Sequence, residues 1–84
     1  MNAKHKKTLT DIFTKPTKAN VNFSDIESLF VSLGGKIVEG KGSRLSVEIN
    51  DEFVHFHRPH PGKEAKKYQV ENACEFLKRI GVKP

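Results

Sequence analysis

The stretch His55-Phe56-His57-Arg58-Pro59-His60-Pro61-Gly62-Lys63 concentrates the proton-transfer chemistry of the chain, holding three of its four histidines. Imidazole titrates near neutral pH, so a histidine can take a proton from a ribose 2′-hydroxyl or return one to a leaving 5′-oxygen. Those are the two transfers that cleavage of an RNA backbone requires. Arg44, Arg58 and Lys63 supply cations able to stabilise charge on the scissile phosphate. A strand end whose histidines and prolines meet only solvent would show the same pattern. His55 and His57, two residues apart on one strand face, also suggest part of a zinc site. No second cysteine joins them and Glu48 is the only carboxylate on that face, so no metal and no other cofactor is expected. Ser43 and Ser46 lack the flanking pattern of a nucleophile elbow, which argues against serine hydrolysis.

The turn Gly40-Lys41-Gly42-Ser43-Arg44 brings backbone N–H groups and two cations within reach of a phosphate. It reads equally as a plain hairpin whose glycines supply positive φ. The candidate RNA-binding set is therefore Lys36, Lys41, Ser43, Arg44, Arg58, Lys63, Lys66 and Lys67. Lys4, Lys6, Lys7, Lys15 and Lys18 form either a phosphate-binding arm or a solvated helix face. Tyr68 and Phe53 are candidate base-stacking platforms. Cys74, the single cysteine, sits on an apolar stripe and reads as a small core residue.

Hydrophobic period places these residues on elements. Leu9, Ile12 and Phe13 predict a short helix over Lys4 to Lys15, stopped by Pro16. Ser24 and Glu27 have capping-box spacing, followed by Ile26, Leu29, Phe30 and Leu33 on one helical face and by Gly34-Gly35 as a stop. Three strands follow, Lys36 to Gly40, Arg44 to Ile49 and Phe53 to Arg58, joined by turns at Lys41-Gly42-Ser43 and Asn50-Asp51. Val70, Ala73, Cys74 and Leu77 predict a closing helix over Lys67 to Ile80, ended by Gly81. Strand alternation turns Leu45, Val47, Ile49, Val54 and Phe56 toward the helices and leaves Arg44, Ser46, Glu48, Phe53, His55 and His57 on the opposite face. A two-residue turn at Asn50-Asp51 would pair Arg44 with His57 and Ser46 with His55, whereas a longer loop would set Ser46 opposite His57. The expected fold class is α+β: a three-stranded antiparallel sheet packed on two helices in α-β-β-β-α order, plus an N-terminal helix. Residues 1–22 then carry that helix and a connector, and residues 23–84 the α-β-β-β-α domain, within one globular unit.

Composition narrows the partner. A chain of 84 residues has room for one modest core. No apolar run approaches a membrane span and no signal-peptide pattern opens the chain, so a cytoplasmic location is expected. A net charge of +5 concentrates polyanions by long-range attraction, making nucleic acid the natural partner class.

The α-β-β-β-α order, the helix ending in Gly34-Gly35, the hairpin Gly42-Ser43 and the stretch His60-Pro61-Gly62-Lys63-Glu64 together resemble the HicA toxin family, from Phe23 to about Val82. The resemblance lies in the order and spacing of these short motifs. It implies a fold similar to a double-stranded RNA-binding domain, an endonuclease that cuts messenger RNA as a toxin, and silencing by a HicB-like antitoxin protein. It also implies a catalytic histidine directly after Gly-Ser, and here Arg44 occupies that place. Arginine stays protonated, so it can bind phosphate but cannot be the general base. His57, adjacent to Arg44 in one strand register, becomes the first candidate for proton transfer, with His55 and His60 behind it. A non-catalytic RNA-binding domain is the alternative.

Overall fold

A computed structural model describes residues Met1 to Pro84. Six elements follow one another: α1 (Ala3–Phe13), α2 (Phe23–Ser32), β1 (Lys36–Glu39), β2 (Arg44–Ile49), β3 (Glu52–His57) and α3 (Lys67–Arg79). The expected α+β architecture is present, with α1 preceding an α-β-β-β-α order and the strands forming one antiparallel sheet in the order β1-β2-β3.

Helix α1 opens on Asn2, whose side chain accepts from His5 N at 2.8 Å. It ends two residues before the expected Lys15, because Thr14 is already extended with ψ 135°. Helix α2 departs from its predicted start. The N-cap is Asn22, the helix begins at Phe23, and no side chain caps it, so Ser24 and Glu27 form no capping box. Tertiary contacts replace the box: Phe23 N donates to the Lys63 carbonyl at 3.0 Å, and Glu27 turns its carboxylate to Arg58.

Both glycine stops act as Schellman caps. Gly34 has φ +88°, Gly34 N donates to the Val31 carbonyl at 3.0 Å, and Gly35 N donates to Phe30 at 2.8 Å. A Cβ on Gly35 would lie 2.6 Å from the Phe30 carbonyl oxygen, so the tight exit from α2 admits only glycine there. At the end of α3, Gly81 with φ +80° repeats the arrangement, with Val82 N donating to Leu77 at 2.9 Å.

The β2–β3 connection is the two-residue turn, Asn50 and Asp51 having φ of 53° and 63° as a type I′ hairpin demands. Its register therefore pairs Arg44 with His57, Ser46 with His55 and Glu48 with Phe53. The strands alternate as expected: Leu45, Val47, Ile49 and Phe56 are buried and Val54 is partly buried against the helices. Phe30 centres the core, stacked on Phe56 with ring centroids 6.2 Å apart and meeting Phe76 edge-on at 5.6 Å. Leu9 and Ile12 of α1 enter the same cluster, so the N-terminal helix shares one core with the rest.

Side chains of α3 reach the outer edge of β3. Buried Gln69 donates from Nε2 to the His57 carbonyl at 2.6 Å and accepts from Lys66 N at 2.9 Å. Arg79 donates from Nη2 to the Phe53 carbonyl at 3.0 Å. The loop after β3 is pinned by the connector after α1, through Ala65 N to the Val21 carbonyl at 2.7 Å and an Asn22–Glu64 bridge.

Candidate active site on the open sheet face

No helix covers the second face of the sheet, and its side chains fall into three cross-strand rows. Gly40, Arg44 and His57 form the first, with Gly40 N donating to the Arg44 carbonyl at 2.8 Å. Val38, Ser46 and His55 form the second, and Lys36, Glu48 and Phe53 the third. Successive rows lie two residues apart along the strands, roughly 7 Å. The first two rows border a groove of about 410 Å³ lined by Gly40, Lys41, Arg44, Ser46, His55 and His57 together with Leu45 and Phe56.

Within this groove Ser46 Oγ lies 2.7 Å from Nδ1 of the exposed His55 ring, whose Nε2 has no hydrogen-bond partner in the protein. Arg44 and His57 are exposed and directly opposed. The His57 carbonyl is tied to Gln69 behind it, and Arg58 N donates to the Ser43 carbonyl at 2.8 Å, so backbone contacts hold both sides of the His57 position. His60 is exposed in the loop after β3 and does not line the groove. No three His, Cys, Asp or Glu side chains are grouped closely enough to hold a metal ion.

The cations divide sharply. Lys36, Lys41, Arg44, Lys63, Lys66 and Lys67 make no ion pair with any carboxylate. Lys41 and Ser43 sit in the β1–β2 turn, and Lys66 and Lys67 at the start of α3. Lys63 lines a separate groove of about 500 Å³ with Ser24, Glu27 and Arg58. Arg58 differs from the rest of the proposed RNA-binding set. Its guanidinium binds Glu27 at 2.8 Å and Glu39 at 2.6 Å, so it clamps α2 and β1 to the end of β3. The hydrogen bonds that Arg58 donates to Glu39 and then to Glu27 raise its pKa further above its usual value, and the bond accepted from Arg58 lowers that of Glu39. A guanidinium already shared by two carboxylates has little left for a phosphate, so Arg58 is a structural cation rather than a phosphate ligand.

Three of the N-terminal lysines are also committed. Lys4 pairs with Asp25 at 3.3 Å, while Lys7 and Lys18 flank Asp11 at 2.8 and 3.0 Å. Burial pushes the Asp11 carboxyl up, but the hydrogen bonds and charges of Lys7 and Lys18 outweigh it and hold the group below its ordinary value. Those lysines staple the helix and its connector, which leaves Lys6 and Lys15 as the cations of that segment without an ion pair.

Gln69 was not among the residues expected near the site. Its signal was a glutamine four positions before Ala73, on the apolar stripe of α3. A polar residue there must find buried partners. Glu27 and Glu39 were missed as partners of Arg58 because they come from separate elements.

The class is a small basic α+β domain with one open sheet face that carries imidazoles and unpaired cations. The family profile described as HicA toxin of bacterial toxin-antitoxin matches residues 23–82, from α2 through the end of α3. The chain belongs to the HicA toxin family and is the toxin of a toxin–antitoxin pair, with an antitoxin as its partner. Helix α1 lies outside the matched span. No curated protein and no solved structure matches the chain. No helix is long and apolar enough to cross a membrane.

Proposed function

We propose that this toxin is an RNA endonuclease, an mRNA interferase that cuts by acid–base chemistry on the open sheet face. The observation that carries the reading is the pairing of Arg44 with His57 next to the Ser46–His55 pair, in one groove. His57 accepts the proton of a ribose 2′-hydroxyl as the 2′-oxygen forms its bond to phosphorus. The bond from phosphorus to the 5′-oxygen breaks, and His55 donates a proton to that leaving oxygen. An imidazolium donates from both nitrogens, so Nδ1–H of His55 is satisfied by Ser46 Oγ while Nε2–H serves the leaving group. Arg44, always protonated, stabilises the charge on the non-bridging oxygens.

The products are a 2′,3′-cyclic phosphate and a 5′-hydroxyl, and the histidines exchange protons with solvent to reset. This route needs no metal, since imidazoles perform both transfers. Lys36, Lys41, Ser43, Lys63, Lys66 and Lys67 bind the flanking phosphates. A HicB-like antitoxin silences the toxin, and both act in the cytoplasm. His60, away from the groove, is the reserve candidate for a proton transfer.

The test is incubation of the purified toxin with end-labelled RNA in chelator. Discrete fragments ending in cyclic phosphate support the reading, and intact RNA in a shifted complex overturns it. A second reading, a toxin that binds RNA without cutting it, draws on Arg44 standing where the family resemblance places a histidine.

A further inference from the structure

The third row of the open face, Lys36, Glu48 and Phe53, takes no part in the proton transfers described above. Phe53 is 51 % exposed, whereas Phe23, Phe30, Phe56 and Phe76 are all buried in the core. Its strand is held in place. Arg79 bonds the Phe53 carbonyl at 3.0 Å and the Glu52 carboxylate at 3.3 Å, and the type I′ turn fixes the strand start. An aromatic ring on an immobilised backbone loses little entropy when a ligand stacks on it. Glu48 stands directly opposite Phe53 and makes no ion pair, so its oxygens are open to a donor. Lys36 completes the row, likewise unpaired.

We infer that Phe53 and Glu48 form a subsite for one unpaired nucleobase of the RNA strand, one nucleotide from the phosphate that is cut. The inference rests on the RNA-cleavage reading and adds base identity and strandedness to it. The base stacks on Phe53, Glu48 accepts from the base edge, and Lys36 meets the adjoining phosphate. Row spacing of roughly 7 Å from His55 places the subsite beside the reacting centre.

A carboxylate only accepts hydrogen bonds, so it ranks the bases by their donors. Guanine presents N1–H and an amino group side by side, two parallel donors that match both carboxylate oxygens. Adenine and cytosine each present one amino group next to an acceptor. Uracil presents a single N–H between two carbonyls, which the carboxylate repels. Guanine therefore binds best and uracil worst. A base inside a duplex has this edge occupied and both faces stacked, so the subsite selects single-stranded RNA.

The experiment uses the full chain with His57→Ala to block cleavage, and a fluorescent eight-nucleotide oligouridine compared with versions carrying one G, A or C. Anisotropy is expected to show guanine over uracil by about 5- to 150-fold. Phe53→Ala weakens the guanine-containing RNA by about 5- to 150-fold, and Phe53→Trp keeps it. Glu48→Gln, which removes the charge and adds a donor, flattens the base ranking by weakening the guanine-containing RNA and strengthening oligouridine. Thermal melts of each variant confirm that the fold is retained. Binding that is indifferent to Phe53→Ala, or a duplex that competes as well as the single strand, overturns the inference and leaves the RNA reading standing. If the native chain binds and cuts no RNA, the RNA reading falls and this subsite with it.

Discussion

Arg44 and His57 face each other directly across the β2–β3 ladder, because Asn50 and Asp51 close the hairpin in two residues. A fixed cation and an imidazole are thereby set on the same side of the sheet at adjacent strand positions. Their roles separate by substitution. His57→Ala is expected to lower RNA cleavage by about 10²- to 10⁴-fold, the usual contribution of a positioned base. Arg44→Ala is expected to cost about 10²- to 10³-fold, the usual contribution of one transition-state donor. Single-turnover cleavage at saturating enzyme measures both, and a full rate for His57→Ala would end its assignment as the base.

In the proposed cleavage, Ser46 acts only through His55. Removing the 2.7 Å contact in Ser46→Ala frees the ring and deprives the imidazolium of an acceptor. Losing a hydrogen bond to a charged group costs about 1.5–3 kcal/mol, which predicts a rate reduction of about 10- to 100-fold with RNA affinity unchanged. A Ser46→Thr variant, which keeps the hydroxyl, should restore the native rate, and that separates the loss of this contact from a general loss of packing.

Salt dependence distinguishes phosphate contacts from structural cations. Each phosphate contact to a single strand contributes about 0.7 to the slope of log affinity against log salt. Lys67→Ala and Lys41→Ala should each reduce that slope by roughly this amount. Arg58→Ala should leave the slope unchanged. It should instead lower stability by about 1 kcal/mol through the lost pair with the partly buried Glu27 carboxylate. Binding titrations from low to high salt, together with melts, measure both effects.

Helix α1 belongs to the core, so its removal acts on the whole fold. Ile12 is fully buried, and Ile12→Ala should destabilise the protein by about 2–5 kcal/mol in denaturant titrations. A loss confined to local α1 signals, with residues 23–84 unfolding as before, would mean the helix is merely appended.

Acid reaches the same helix through Asp11. Its carboxyl is held below its ordinary value in the folded state, so its pairing with Lys7 and Lys18 stabilises fully above the unfolded pKa, about 4. That contribution disappears as pH falls through the lowered folded value. The difference in melting temperature between the native chain and Asp11→Asn should therefore be constant from pH 7 to about 5 and shrink below about 4. A constant difference down to pH 2.5 would contradict the pairing.

The strand alternation of Leu45, Val47, Ile49 and Phe56, and the helical period of α2 and α3, are legible in the sequence because each is a local pattern that burial enforces. The same alternation by itself puts Arg44, Ser46, His55 and His57 on one face. It leaves two registers open, and the positive φ of Asn50 and Asp51 selects between them. Long-range partners are not legible. Ser24 and Glu27 have capping-box spacing, yet Arg58, 31 residues away from Glu27, takes that carboxylate. Nothing local to Arg58 marks it as structural, since its two acidic partners lie on other elements. Gln69 shows the intermediate case: its polarity on an apolar stripe announces a buried bond, but not that the acceptor is His57.

Gln69 and Arg79 have one more effect, by way of the carbonyls they occupy at His57 and Phe53. Those carbonyls point outward from the edge of the sheet, where another chain would otherwise pair and begin to stack. With both engaged, β3 is a poor template for sheet extension, and the strand carrying the two groove histidines is shielded from being recruited into an aggregate. The edge that remains open to lateral growth is β1, on the far side of the sheet from those histidines.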